Sequence, residues 1–389
     1  MNRITINLEA LQHNIRTVDG WMRAHQASWT LVCKVLCGHE PTLAALKSLG
    51  VRSIADSRLL NLEALPRTGD PVETWYLRLP HFPALKDIVR LASASLNTEI
   101  EIIEALDAEA RRQNTVHRVV IMIEMGDLRE GILPSSLIAY YERLLSLKNV
   151  QVLGIGANLG CLSGAVPNPE HLTQLALYKE LLELKFKHRM AMISGGSSSL
   201  LPLLLENRVP RAVNHFRIGD SVFLGSDLIN GGTLAGLRDD AFTVEADIVE
   251  IKEKSLVPLG ETTSMSPFAS LQPDEHSPGQ RGYRAIVTVG QVDTEVSGLT
   301  PLDPNHQLAG ASSDLAVINL GPDPGELKVG DTIRFRPSYG ALVRLMMGKY
   351  IDKELLPDPG IFQAQLSRHA TTSLPPVIDE TFNQPEAAL

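Results

Sequence analysis

The stretch SWTLVCKVLCGHEPTLAALKSLGVRSIAD, residues 28–56, reads as strand, turn, helix and strand. SWTLVCKV (28–35) and VRSIAD (51–56) are apolar, β-rich runs, and EPTLAALKSLG between them places apolar residues at i, i+3 and i+4. That order describes a parallel βαβ unit. The pattern continues through VETWYLRL (72–79), SASLN (93–97), VHRVVIMIE (116–124), VQVLGIGAN (150–158), MAMIS (190–194) and AVNHFRIG (212–219). Helical patterns such as SRLLNLEAL, EIEIIEALDAEARRQN, LIAYYERLLSL, HLTQLALYKELLELKF and SSLLPLLLEN separate them. Eight strands with intervening helices predict a closed (β/α)8 barrel. An open doubly wound sheet is the alternative, but no GxGxxG turn follows any strand, which speaks against a dinucleotide-binding version.

Lys34 stands out in the first run. A charged amine in an apolar strand needs a reason, because an unpaired ammonium is costly to bury. The bland reading is a strand-end lysine that snorkels to solvent. The sharper one is a buried amine of lowered pKa that forms a Schiff base with a carbonyl cofactor, most commonly pyridoxal phosphate (PLP).

In such a barrel the chemistry gathers at the C-terminal ends of the strands. Lys34, Asp56, Arg58, Arg78, Asn97, Glu124, Arg129, Asn158 and Arg217 all fall there, as does SGGSSS (194–199). Each alone reads more readily as a structural ion pair or cap. Two glycines and three serines at a helix start exceed what capping requires. They suggest a phosphate cradle, because bare backbone N–H groups approach a ligand closely there. A lysine at the first strand, a phosphate turn at the seventh and RIGD at the eighth together describe a PLP site.

Beyond about residue 240 the texture changes. FTVEADIVEIKE, YRAIVTVGQVDT, DLAVINLG and DTIRFRPS alternate apolar and polar residues between turn clusters, as a small antiparallel β domain would. The predicted division is a barrel over 1–238, a β domain over 239–357 and a poorly ordered tail over 358–389. Residues 261–282 are Pro/Ser/Gly-rich with little periodicity, and a long loop is expected there.

With 389 residues, 44% hydrophobic and 21% charged, the chain has an ordinary globular composition. A net charge of −9 argues against nucleic acid or an anionic membrane as partner. Three cysteines, Cys33, Cys37 and Cys161, without paired spacing suggest neither a disulfide framework nor a metal site. No apolar run is long enough to span a bilayer, and the opening residues do not read as a signal peptide. A cytoplasmic location is the expectation.

Several segments carry a family resemblance. ITINLEALQHNIRTV, VCKV, FRIGDSVFLG and RPSYGALVRLMMGKYI resemble motifs of the alanine-racemase-like, fold-type III PLP enzymes. KVLCG, DSR, LRLP, SLNTE, GDLREGI, GANLGC and ISGGSSSLLPLLLE resemble the ornithine-racemase type within that family. The resemblance implies a homodimer and racemisation of a free, basic amino acid through a PLP aldimine on Lys34. It implies that Arg217 faces the pyridine nitrogen, with Asn158 where the family often has a supporting histidine. It also implies phosphate binding by Ser197, Ser198, Gly219, Asp220 and Tyr339, and a place for Arg129 near the substrate carboxylate. The family's second base, a tyrosine, is absent from VPLGETTS, where Glu261 stands instead. Glu261 or Tyr283 is then the candidate opposing base. Glu261, Asp127 and Asp274 are candidates to meet a substrate ammonium. The competing readings are a PLP-dependent decarboxylase or aldolase-type lyase on the same plan, and a non-catalytic PLP-homeostasis protein, whose single-barrel relatives lack the β domain.

Overall fold

The computed structural model describes residues 2–67, 69–160, 162–258, 260 and 279–362. Strand β1 (Arg3–Asn7) and helix α1 (Leu8–His25) open the chain. The next eight strands close into a barrel: β2 (Ser28–Val32), β3 (Ser53–Asp56), β4 (Glu73–Tyr76), β5 (Ala94–Asn97), β6 (His117–Met122), β7 (Val150–Gly156), β8 (Met192–Ser194) and β9 (His215–Ile218). Neighbours are parallel throughout, and β9 returns to β2 with Leu31 opposite Ile218. Helices α2 (Glu40–Ser48), α3 (Leu59–Glu63), α4 (Leu85–Leu91), α5 (Ile100–Arg112), α6 (Leu137–Leu144), α7 (Pro169–Phe186) and α8 (Leu201–Leu205) lie between the strands.

All eight anticipated barrel runs are strands, and most end before the apolar run does. In the first, the strand stops at Val32. Cys33 turns the chain at φ −94°, ψ 6° into a single 3-10 turn, Lys34–Leu36, which Cys37 closes at φ 51°. Lys34 is therefore not a strand residue, and it is exposed rather than buried. The desolvation argument for its chemistry does not apply.

One compact unit comprises Arg16–Val32 and Leu43–Gly219, with residues 358–362. Inside the barrel, Val32, Ala55, Trp75, Leu96, Val120 and Met192 share one apolar cluster. Trp75 stacks almost flat on His215, with ring centroids 4.8 Å apart. Some inward positions leave no room for any side chain. A Cβ on Gly154 would lie 1.9 Å from the carbonyl oxygen of Met192, its partner on β8.

The other unit comprises, of the described residues, those within 2–15, Cys33–Thr42 and Asp220–Pro357. After the short helix α9 (Asp220–Leu224) it is a sheet of β10 (Phe242–Ser255), β11 (Arg281–Val287), β12 (Leu299–Pro301), β13 (Gln307–Ala311), β14 (Ala316–Gly321), β15 (Thr332–Pro337) and β16 (Asp352–Leu356), joined by β1. Helix α10 (Tyr339–Met347) lies between β15 and β16. The long β10 pairs with β1 and β15 through its first half and with β11 through its second. The register shifts between Ile248 and Glu250, a bulge that leaves Val249 exposed.

This grouping departs from a division at 238 and 357. Strand β1 pairs with β10 and β16, which buries Ile4 and Ile6 completely within the sheet unit. Cys33–Thr42 and Asp220–Leu237 also group with the sheet. The four anticipated β-domain runs become β10, β11, β14 and β15; the shorter β12, β13 and β16 carry too little alternation to stand out. Most of the expected tail, 358–389, and most of the stretch 261–282 lie outside the described residues. No described helix is long and apolar enough to cross a membrane.

Two glycine substitutions test the packing. Gly154→Ala drives a methyl into a backbone carbonyl, and we predict a loss of about 3 kcal/mol in urea unfolding. Gly20→Ala, in α1 with open space around its Cβ, should gain about 0.5–1 kcal/mol. The reverse order would contradict the barrel register.

Candidate active site

Arg217 is the last residue but one of strand β9, and it is 3% exposed. A guanidinium stays charged and only donates, so burial obliges its surroundings to accept. They do. Nη1 donates to the Ser194 carbonyl oxygen at 3.2 Å and to Ser194 Oγ, and Nη2 donates to the Ala157 carbonyl oxygen at 2.9 Å and to Asn158 Oδ1 at 2.7 Å.

Asn158 extends this network. Its Nδ2 donates to Glu130 Oε1, so its amide is held at both ends, oxygen toward the guanidinium and nitrogen toward the carboxylate. Glu130 in turn pairs with Arg129 through both carboxylate oxygens. The barrel unit therefore brings Arg129, Asn158 and Arg217 into one chain of contacts. Its middle link, Glu130, was not singled out from the sequence. The adjacent Arg-Glu pair in GDLREG was the available signal.

Ser197, Ser198 and Gly219 also converge. Ser197 precedes a 3-10 turn, Ser198–Leu200, and its Oγ accepts from Ser199 N. Ser198 Oγ accepts from Gly219 N at 3.3 Å, which ties the turn after β8 to the turn after β9. Gly219 is obligatory, since a Cβ there would lie 2.7 Å from the Val32 carbonyl oxygen. Gly196 adopts φ 151°, a backbone conformation that favours glycine.

The sheet unit carries Lys34, Asp220 and Tyr339. The turn holding Lys34 packs against α10, which Tyr339 opens, and Cys37 Sγ donates to the Val343 carbonyl oxygen at 3.5 Å. Ser338 caps that helix by accepting from Ala341 N. Burial pushes the Asp220 carboxyl above the ordinary carboxylate range, against the opposing effects of Ser226 and of the nearby Lys34 charge. Asp220 Oδ1 is buried and has no hydrogen-bond partner among the described residues.

Two other strand-end carboxylates bond within their own turns. Asp56 accepts from Arg58 N and Asn61 Nδ2, and Glu124 accepts from Gly126 N and Leu128 N. Asp127 is 1% exposed and accepts from the backbone of Leu162 and Ser163, which commits it to a loop rather than to a substrate ammonium. Tyr283 is a half-buried residue of β11. Glu261 and Asp274 lie outside the described residues.

Residues 6–227 match the alanine racemase N-terminal domain family. The chain is 34% identical over 355 residues to an ornithine racemase of Acetoanaerobium sticklandii, covering 91% of this chain and 99% of that one. It is 30% identical over 351 residues to a lysine racemase of Thermotoga maritima, covering 90% and 97%. Among solved structures it resembles an alanine racemase of Bartonella henselae with covalently bound pyridoxal phosphate, with a TM-score of 0.68, 14% identity and coverage of 91% and 99%.

Replacing Asn158 by the similarly sized leucine would leave Glu130 short of a donor and Arg217 short of an acceptor. Hydrogen bonds to charged groups are worth about 1.5–3 kcal/mol, and we predict a loss of that size in chemical denaturation. An unchanged unfolding midpoint would remove Asn158 from the link.

Proposed function

The chain belongs to the alanine racemase family, and from that membership we propose that it is a PLP-dependent racemase of a free basic amino acid, ornithine or lysine. The near full-length relationship to an ornithine racemase and a lysine racemase carries the reading.

The residues present fit PLP. Two turns, without side chains at Gly196 and Gly219 and tied together by the Gly219 N–H···Ser198 Oγ bond, let the backbone and the serine hydroxyls come close to a phosphate. In our reading Ser197, Ser198 and the backbone amides of Asp220 and of Gly219, the latter exchanging its bond to Ser198 Oγ, would hold it, together with the Tyr339 hydroxyl. Arg217, able only to donate, would face the pyridine nitrogen, with Asn158 Oδ1 keeping the guanidinium plane in place. When bound, PLP supplies the electron sink that makes the substrate Cα–H acidic.

Lys34 anchors the cofactor and then exchanges the Cα proton on one face. Its exposure leaves the amine accessible, and the Asp220 carboxyl is the charged neighbour that the sheet unit gives it. Arg129, held by Glu130, receives the substrate carboxylate. Glu261 is the proposed base for the opposite face. We further propose a cytoplasmic homodimer, the family's usual arrangement, whose sites are completed by the partner's sheet unit.

The test is covalent trapping. Borohydride reduction of the PLP-loaded protein should attach the cofactor to the peptide containing Lys34, read by mass spectrometry. Lys34→Ala should lose that adduct and at least about 10²–10⁴-fold of the racemisation rate, the usual worth of a general base. An adduct on any other lysine would overturn the assignment.

A further inference from the structure

A line of polar side chains runs through the barrel behind Arg217. Ser194 Oγ, which accepts from Arg217 Nη1, lies 2.9 Å from His215 Nδ1. His215 Nε2 lies 3.0 Å from Thr30 Oγ1, and Thr30 Oγ1 lies 2.8 Å from Ser53 Oγ. Ser53 Oγ donates to Glu73 Oε2 at 3.1 Å, and Glu73 pairs with Arg118 at 2.7 Å. Ser194 and Arg217 stand near the ends of β8 and β9, whereas Ser53 and Glu73 open β3 and β4. The line therefore joins the two ends of the barrel. Thr30, Ser53, Ser194, His215 and Arg217 are all buried.

The direction of every bond follows from proton counting. Glu73 only accepts, so the single Ser53 proton goes to it. Ser53 then accepts from Thr30, and Thr30, its proton spent, accepts from His215 Nε2–H. His215 is neutral, because burial and then the Arg217 charge push its pKa down to about 3. Its Nδ1 is consequently bare and accepts the Ser194 proton. Ser194 Oγ is left with lone pairs only, turned toward Arg217. A chain with a carboxylate at one end and a guanidinium at the other admits one orientation, and each bond polarises the next.

We propose that Ser194, His215, Thr30, Ser53 and Glu73 form a one-way hydrogen-bond relay that fixes the rotation of the Arg217 guanidinium, with Thr30 and His215 as positioning residues for racemisation. The stacked Trp75 ring holds the imidazole plane in the line. The proposal rests on the reading of Arg217 as the residue that faces the cofactor ring.

The test uses the PLP-loaded protein with 15N-labelled histidine. NMR of the wild type should show His215 as a single Nε2–H tautomer. Thr30→Val, which matches threonine in shape but cannot accept, should give an Nδ1–H or mixed tautomer. Its kcat should fall about tenfold, the size of one net hydrogen bond, with KM within about twofold. Thr30→Ser keeps the hydroxyl and should restore both readouts. An Nδ1–H tautomer in the wild type overturns the relay even if Thr30→Val does not fold. So does a Thr30→Val protein with wild-type tautomer and kcat, or a Thr30→Ser protein that behaves like Thr30→Val. A protein that shows the Nε2–H tautomer but neither binds PLP nor racemises would instead refute the proposed function.

Discussion

A guanidinium that cannot shed its proton lies inside the barrel, and the rest of the site is arranged around that fact. Transfer of such a charge from water is tolerable only when it is surrounded by acceptors. Arg217 meets two backbone carbonyls, one hydroxyl and one amide oxygen. Each acceptor is then committed in turn. The amide of Asn158 must point its nitrogen at Glu130, and the hydroxyl of Ser194 must point its proton away. One buried charge thus orders two networks. One runs across the barrel mouth to Arg129, and the other runs down its interior to Glu73.

The same constraint suits the proposed chemistry. A group that can only donate to the cofactor ring nitrogen leaves that nitrogen without a proton, which limits how far the ring draws charge from Cα. Fast return of a proton to Cα is what racemisation needs, and a well-fixed Arg217 serves it. Neutral His215 is the corresponding element behind the arginine, since a second cation beside Arg217 would weaken the arrangement.

Much of the fold was legible because a barrel strand is a short apolar run bounded by turn residues, and the eight runs between Ser28 and Gly219 are of that kind. Strand β1 was not legible as part of the sheet unit. Its pairing with β10 and β16 joins segments hundreds of residues apart, which no local pattern records. Arg217, Asn158 and the serine turn were found because they sit where strands end. Thr30, Ser53 and His215 were missed because they interrupt apolar runs one residue at a time, and a lone polar residue in a strand reads as a satisfied core group; Ser194 was noticed only as the start of the serine turn. Lys34 was chosen for the wrong physical reason. Its turn leaves the strand early and the amine is exposed, so its role rests on family membership and its neighbourhood rather than on burial.

The most direct measurement of the central claim is proton exchange at Cα. The PLP-loaded protein would be incubated in D2O with L-ornithine and with L-lysine, and the products resolved by chiral chromatography and mass spectrometry. The account predicts that the D-enantiomer of one or both forms, with deuterium at Cα and all carbon retained. Release of carbon dioxide or an aldehyde without D-product, or no exchange with any basic amino acid, would contradict it.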